Sequence, residues 1–195
     1  MSQYPSPEQI ISVSTVCVGV GPGGTTSMLA RIVVVNFQGE CIFDKFVVPT
    51  IAVVDCREAT TGIKQWQLFS KDAVPFNVVQ HHLSKLFKNK VMVGHSLWQD
   101  LSVLGIPHPA VATRDVALHQ PFRNALGAPN QIVGLKTLCW QLMRRRCGEG
   151  LIDPAENARA AMDLYRSHAR DWESSIHRGD WPSSLPPSTF SRCYS

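Results

Sequence analysis

The stretch Ile10–Phe37, IISVSTVCVGVGPGGTTSMLARIVVVNF, decides the fold. Ile10 to Gly19 alternates and is rich in β-branched residues, which fit a pleated, half-buried surface. Gly21-Pro-Gly-Gly24 breaks that strand with a turn. Met28 to Phe37 is a second, nearly continuous apolar strand. A turn across Asn36 to Glu40 leads to a third, Cys41 to Val48. Three strands joined by short turns read as an antiparallel meander.

Working outward, the pattern is irregular from Pro49 to Ala73 and then becomes helical. In Pro75 to Lys88, Phe76, Val79, His82, Leu83, Leu86 and Phe87 share one face. Val91-Met-Val93 is a short buried strand, and Ser96 is placed to cap a helix through Leu104. Ala112 to Val116 is a fifth strand, while Leu135 to Arg146 and Pro154 to His177 are helices. Pro154 suits the first helical turn, where its missing N–H costs nothing. A meander followed by alternating helices and strands implies an α/β fold: a mixed five-stranded sheet with helices on both faces. The domain runs over 10–177, after an N-terminal lead at 1–9. The Pro/Ser-rich stretch 178–195 (WPSSLPPSTFS within it) reads as a flexible tail.

The 195 residues suffice for one domain with a sizeable core. With 44% hydrophobic and 17% charged residues the chain is globular and charge-poor, which excludes a disordered or solvating role. No apolar run is long enough to span a bilayer, so no membrane partner is expected. The start, MSQYPSPEQ, has neither a basic nor an apolar leader segment, so a cytoplasmic location is expected, the nucleus also being open. A net charge of +4 is compatible with RNA and too weak to argue for it. The six cysteines form no C-x-x-C pair and have no zinc spacing, so they read as buried free thiols. Oligomeric state is not legible.

Several short segments then fall in order: Val18-Gly-Val-Gly-Pro-Gly-Gly24, Leu29-Ala-Arg31, Asp44-Lys-Phe46, Val48-Pro-Thr50, Thr61-Gly-Ile63, Val93-Gly-His95 with Asp100-Leu101, Arg114-Asp115, and Ala158-Arg-Ala-Ala-Met162. Together they resemble the RNase H-like, DEDDh-type 3′-5′ exonucleases, in the branch of RNA exonuclease 4 and the interferon-stimulated small exonucleases. The resemblance covers roughly residues 10–175. It implies the RNase H-like fold and a two-cation phosphodiesterase site of four carboxylates with a histidine base.

Carried over residue by residue, that site is depleted. The family's Asp-x-Glu pair falls on Ser14 and Val16, counted back from Val18-Gly-Val-Gly21. The third acid is present as Asp100. The final histidine and aspartate fall on Ile152 and Asn157, anchored on Ala158-Arg-Ala-Ala-Met162. Asp153 and Glu156 flank that motif, but one residue along a helix turns a side chain by about 100°. Asp100 alone does not build a two-cation site, so neither a metal nor a cofactor is expected.

The replacements imply a neutral, largely apolar cleft. Its expected floor is Ser14, Val16, Val18, Ile152 and Asn157; its expected wall is Leu97, Trp98 and Asp100. Asp100 and His95 are the candidate catalytic groups, Asp100 as a desolvated acid and His95 as a group titrating near neutrality. Trp98 is placed to stack a ligand. Such a cleft suits a small apolar ligand or substrate, bound without metal, and in enzymatic form a cofactor-free cyclisation or isomerisation. A collapsed cleft is the plain alternative. The other functional readings are a pseudonuclease binding single-stranded RNA or a protein, and an exonuclease with a relocated metal site built from Asp100, Asp153, Glu156 or Asp163. Arg144-Arg-Arg146 and Lys88-Asn-Lys90 are the compact basic clusters.

Overall fold

The computed structural model describes residues 4–195. The meander forms as the sequence predicts: β1 (Ile10–Val20), β2 (Thr26–Asn36) and β3 (Cys41–Val48) pair antiparallel in turn. The segment expected to be irregular holds short elements, β4 (Val53–Asp55), α1 (Glu58–Thr61), α2 (Gln65–Leu68) and β5 (Val74–Pro75). Then come α3 (Phe76–Leu86), β6 (Val91–Gly94), α4 (Leu97–Leu104), β7 (Thr113–Asp115), α5 (Gln120–Ala125), α6 (Leu135–Met143) and α7 (Pro154–His177). The sheet order is β5-β3-β2-β1-β6-β7, with β4 paired to the far end of β1. All five predicted strands are present, and the mixed sheet gains β4 and β5. Two- and three-residue strands carry too little periodicity to be read from sequence.

Strand alternation splits the core between two faces. Ile11, Val13, Ile32, Val34 and Met92 pack against α3 and α4 through Val79, Leu83, Leu97, Leu101 and Leu104. Ile10 and Val93 face α6 and α7 through Leu138, Ala160, Ala161 and Leu164, and Val33 and Val35 meet Ala158. Ala158, Ala160 and Ala161 of α7 are almost fully buried, so its axis lies close to the sheet. Arg114 and Glu173 tie β7 to α7 through a buried two-pronged ion pair of 2.7 and 2.9 Å, with the Tyr165 hydroxyl donating to Glu173.

The expectation of a flexible tail over 178–195 is corrected. Its end is docked, with Cys193 buried and Phe190 and Tyr194 packed on α4. The Cys193 carbonyl accepts from the His108 N–H, and the Ser195 N–H donates to the His108 carbonyl. Low-complexity composition hid three core-forming side chains spaced over five residues. No helix among the described residues is long and apolar enough to cross a membrane.

Candidate functional site

A cleft opens where β1 outruns β6. The parallel pairing between them stops at Ser12 and Val93, so β1 beyond that point has no partner on this side until β4 joins it at Gly19. Crevices beyond the carboxyl ends of parallel strands are where α/β folds place ligands. The backbone N–H of Thr15, left without a ladder partner, donates instead to Asp100 Oδ1 at 2.9 Å, and the Thr15 hydroxyl donates to the same oxygen at 2.6 Å. Asp100 thus fastens α4 to β1 across the cleft.

The start of α4 explains how Asp100 gets there. Ser96, expected as a side-chain cap, takes a left-handed backbone (φ 58°) and makes no cap bond with its hydroxyl. The buried carboxylate of Asp115 caps the helix instead. It accepts from the N–H groups of Ser96 (2.9 Å), Leu97 (2.7 Å) and Ala117 (2.9 Å). Gly94 is required at the turn, since a Cβ there would lie 2.4 Å from Leu97 Cδ2.

The cavity is about 820 Å³ and is lined by Ser14, Thr15, Val16 and Cys17 of β1 and by Gln99, Asp100, Ser102 and Val103 of α4. Ile152, Asn157, His95, Ser27, Arg57, Thr60, Thr61 and Phe190 complete it. The cleft is therefore open, and Ser14, Val16, Asp100, His95, Ile152 and Asn157 are brought together in its lining. The two walls follow from parity: Ser14 and Val16 face the side of α7, Thr15 that of α4.

Three expected lining residues lie elsewhere. Val18 is fully buried with Ala30, Ile63 and Leu68, because the segment 53–68 closes over that end of β1. Leu97 shares the buried stripe of α4 with Leu101 and Leu104, and Trp98 packs with Ala117 and Leu118 beneath Phe190 and Tyr194. Helical spacing turns Gln99, Asp100 and Val103, not Leu97 and Trp98, to the cleft. The largely apolar character is corrected too: hydroxyls and amides of Ser14, Thr15, Ser27, Thr60, Thr61, Gln99, Ser102 and Asn157 share the lining with Val16, Val103, Ile152 and Phe190. Sequence reasoning missed Thr15, Arg57 and Phe190, whose approach depends on a strand splitting, a loop closing and a tail docking.

The charged groups are few. Burial pushes the Asp100 carboxyl up to about 7, against the pull of the two Thr15 hydrogen bonds, with Asp115 adding to the rise. His95 Nε2–H donates to the Val133 carbonyl at 2.8 Å, which orients the ring. Arg57, with a left-handed backbone (φ 52°), spans the rim and donates to Ser27 Oγ at 3.0 Å and the Gly24 carbonyl at 3.3 Å.

These residues do not fit a pair of divalent cations. Hard cations need several oxygen donors, chiefly carboxylates, and Asp100 is the cleft's one carboxylate, with an oxygen already held by Thr15. The other acids considered from the sequence are engaged elsewhere. Asp153 caps α7 through the Ala155 N–H and faces Arg31 at 3.6 Å. Glu156 accepts from the Gly148 N–H, and Asp163 pairs with Arg145 and Arg166. Among the described residues, no group of three or more His, Cys, Asp and Glu is placed to hold a metal.

No family model matches the chain. It is 37% identical over 161 residues to RNA exonuclease 4 of Xenopus laevis, covering 82% of this chain and 37% of that protein. It is 34% identical over 180 residues to apoptosis-enhancing nuclease of Homo sapiens, covering 91% and 55%. The chain thus spans between a third and about three-fifths of the length of such relatives. Among solved structures, the catalytic unit of Neurospora crassa Pan2 (protease and nuclease domain) superposes with a TM-score of 0.71 at 21% identity, over 98% of this chain and 30% of that one. The Saccharomyces cerevisiae Pan2 pseudoubiquitin hydrolase-RNA exonuclease module in complex with AAUUAA RNA gives 0.72 at 23%, over 89% and 31%. At that identity these neighbours establish the RNase H-like fold alone.

Proposed function

The chain belongs to the exonuclease family that includes RNA exonuclease 4, and we propose that its cleft binds without cutting: a metal-independent pocket for a small molecule. The observation that carries this reading is the state of Asp100. It is the single carboxylate in the cleft, buried, and held through one oxygen by both donors of Thr15. Two-cation phosphodiester hydrolysis needs a ligand set that converges on two ions, and the side chains at Ser14, Val16, Ile152 and Asn157 supply no further carboxylate.

The cavity's size lies within the range of small-molecule sites, and its lining mixes apolar side chains with convergent hydroxyl and amide groups. Val16, Val103, Ile152 and Phe190 supply the apolar surface; Ser14, Gln99 and Asn157 supply direction. In enzymatic form, such a site preorganises a flexible substrate for cyclisation or isomerisation without a cofactor.

The test compares degradation of end-labelled single-stranded RNA and DNA, across a Mg²⁺ and Mn²⁺ titration, by the natural chain and by a restored variant (Ser14→Asp, Val16→Glu, Ile152→His, Asn157→Asp). An inert natural chain beside a cutting restored variant supports the reading. Metal-dependent cutting by the natural chain overturns it, and the activity named in its relatives then applies here.

A second reading, a non-cutting binder of single-stranded RNA, is favoured by Arg57 at the cleft rim and by the names of the relatives. It requires affinity that falls steeply with salt, since phosphate contacts release counterions. Salt-insensitive or absent binding of labelled RNA removes it.

A further inference from the structure

One side chain of the cleft wall comes from the docked C-terminal segment, far from the other lining residues in the chain. Phe190 sits in the 3₁₀ turn Ser188–Cys193 and lines the cavity near Ser102 and Val103. Its ring also packs on the hydrophobic clusters of α4.

The segment carrying it is pinned at both ends. On one side the Gln120 N–H donates to the Pro182 carbonyl at 2.8 Å, and the Ser184 N–H donates to the Leu118 carbonyl at 2.9 Å. The Arg123 guanidinium adds a bond to the Ser184 hydroxyl at 2.7 Å. On the other side the His108 N–H donates to the Cys193 carbonyl at 3.0 Å, and the Ala110 N–H donates to the Ser195 carbonyl at 3.1 Å. Among the described residues, the backbone between these pins bonds only within itself, as in Phe190 N–H to the Pro187 carbonyl. Leu185 is 86% exposed and is followed by Pro186 and Pro187, which stiffen the span. The result is a strap, fixed at its ends and held in the middle by side-chain packing. Such a span opens locally at lower cost than the helices beneath it.

We propose that this C-terminal strap is a working wall of the cleft and that Phe190 determines specificity, admitting ligands with a flat apolar portion that packs on its ring and excluding bulkier ones. An aromatic or alicyclic small molecule fits this wall, with its polar end toward Ser14, Asn157 and Gln99. The ligand class rests on the reading of the cleft as a small-molecule site; the wall itself does not.

Cys17 lines the same cleft and gives a native reporter, while exposed Cys41 gives a reference. Burial raises the Cys17 thiol to about 11, so absolute rates are slow. The ratio of rates for a bulky and a small reagent cancels that effect, because both react with the same thiolate. The full-length protein is treated with fluorescein-5-maleimide and with N-ethylmaleimide, and labelling at each cysteine is read by mass spectrometry. Phe190→Ala is expected to raise the bulky-to-small ratio at Cys17 by about tenfold, as a ring-sized volume opens, while Cys41 stays constant. Phe190→Trp is expected to lower it, which guards against general loosening in the alanine variant. An unchanged ratio in both variants overturns the proposal.

A separate arm addresses the cleft reading. Binding of 1-anilinonaphthalene-8-sulfonate is followed by fluorescence in the natural chain and in Val16→Arg, which fills the floor. Loss of binding in Val16→Arg supports a small-molecule cleft. Unaltered or absent dye binding counts against that reading and leaves the alkylation result to judge the wall alone.

Discussion

At the scale of the residue, Asp100 is the group with the most to reveal. Its carboxyl titrates well above the ordinary 3.8, mainly because burial penalises the charge. A raised folded-state value means the native protein binds the proton more tightly than the unfolded chain. The stabilisation is therefore complete below about pH 4 and is lost as the pH rises through about 7. Asp100→Asn keeps an oxygen for both Thr15 donors and carries no charge. Its stability relative to the natural chain should rise between pH 4.5 and 8 by on the order of 3 kcal/mol and then level off. Urea unfolding of both proteins at each pH measures this, and a pH-independent difference would show that Asp100 is not desolvated. That Asp100 faces the cleft was legible from sequence. That Thr15 holds it was not, because the contact needs β1 to part from β6.

At the scale of the element, the connection from β6 to α4 depends on close approach and a distant cap. Gly94→Ala would push a methyl into Leu97 and the Val13 carbonyl, 2.4 and 3.1 Å away. A loss of about 2 kcal/mol is expected, with Asp100 displaced as well. The melting temperature gives the first, and the pH dependence above gives the second. The ion pair between β7 and α7 is a second element-scale test. Glu173→Gln leaves the Arg114 guanidinium buried and unpaired in charge, at a cost of about 3 kcal/mol or more in urea unfolding. Helix positions were readable from apolar spacing, and α7 begins at Pro154 as the sequence predicts. The cap of α4 was not readable. Ser96 has the right chemistry in the right place, yet Asp115, 19 residues later, supplies the bonds.

At the scale of the whole molecule, the strap shows how a segment of unpromising composition becomes part of the core. Truncation after Pro182 removes the buried Cys193, the packed Phe190 and Tyr194, and the bonds to His108 and Leu118. It should cost about 3 kcal/mol, from the apolar burial lost. A tail free in solution would leave the unfolding midpoint unchanged. The sequence by itself determined the meander, the four longer helices, the family resemblance and the identity of the residues at the family's acid positions. These follow from local periodicity and from spacing along one chain. The tertiary structure decided that the cleft is open, that Leu97, Trp98 and Val18 turn away from it, and that Thr15, Arg57 and Phe190 enter it. Those outcomes depend on where strands part, which stripe of a helix is buried, and where a distant segment docks. They arise from contacts between residues far apart in the chain, which no local pattern encodes.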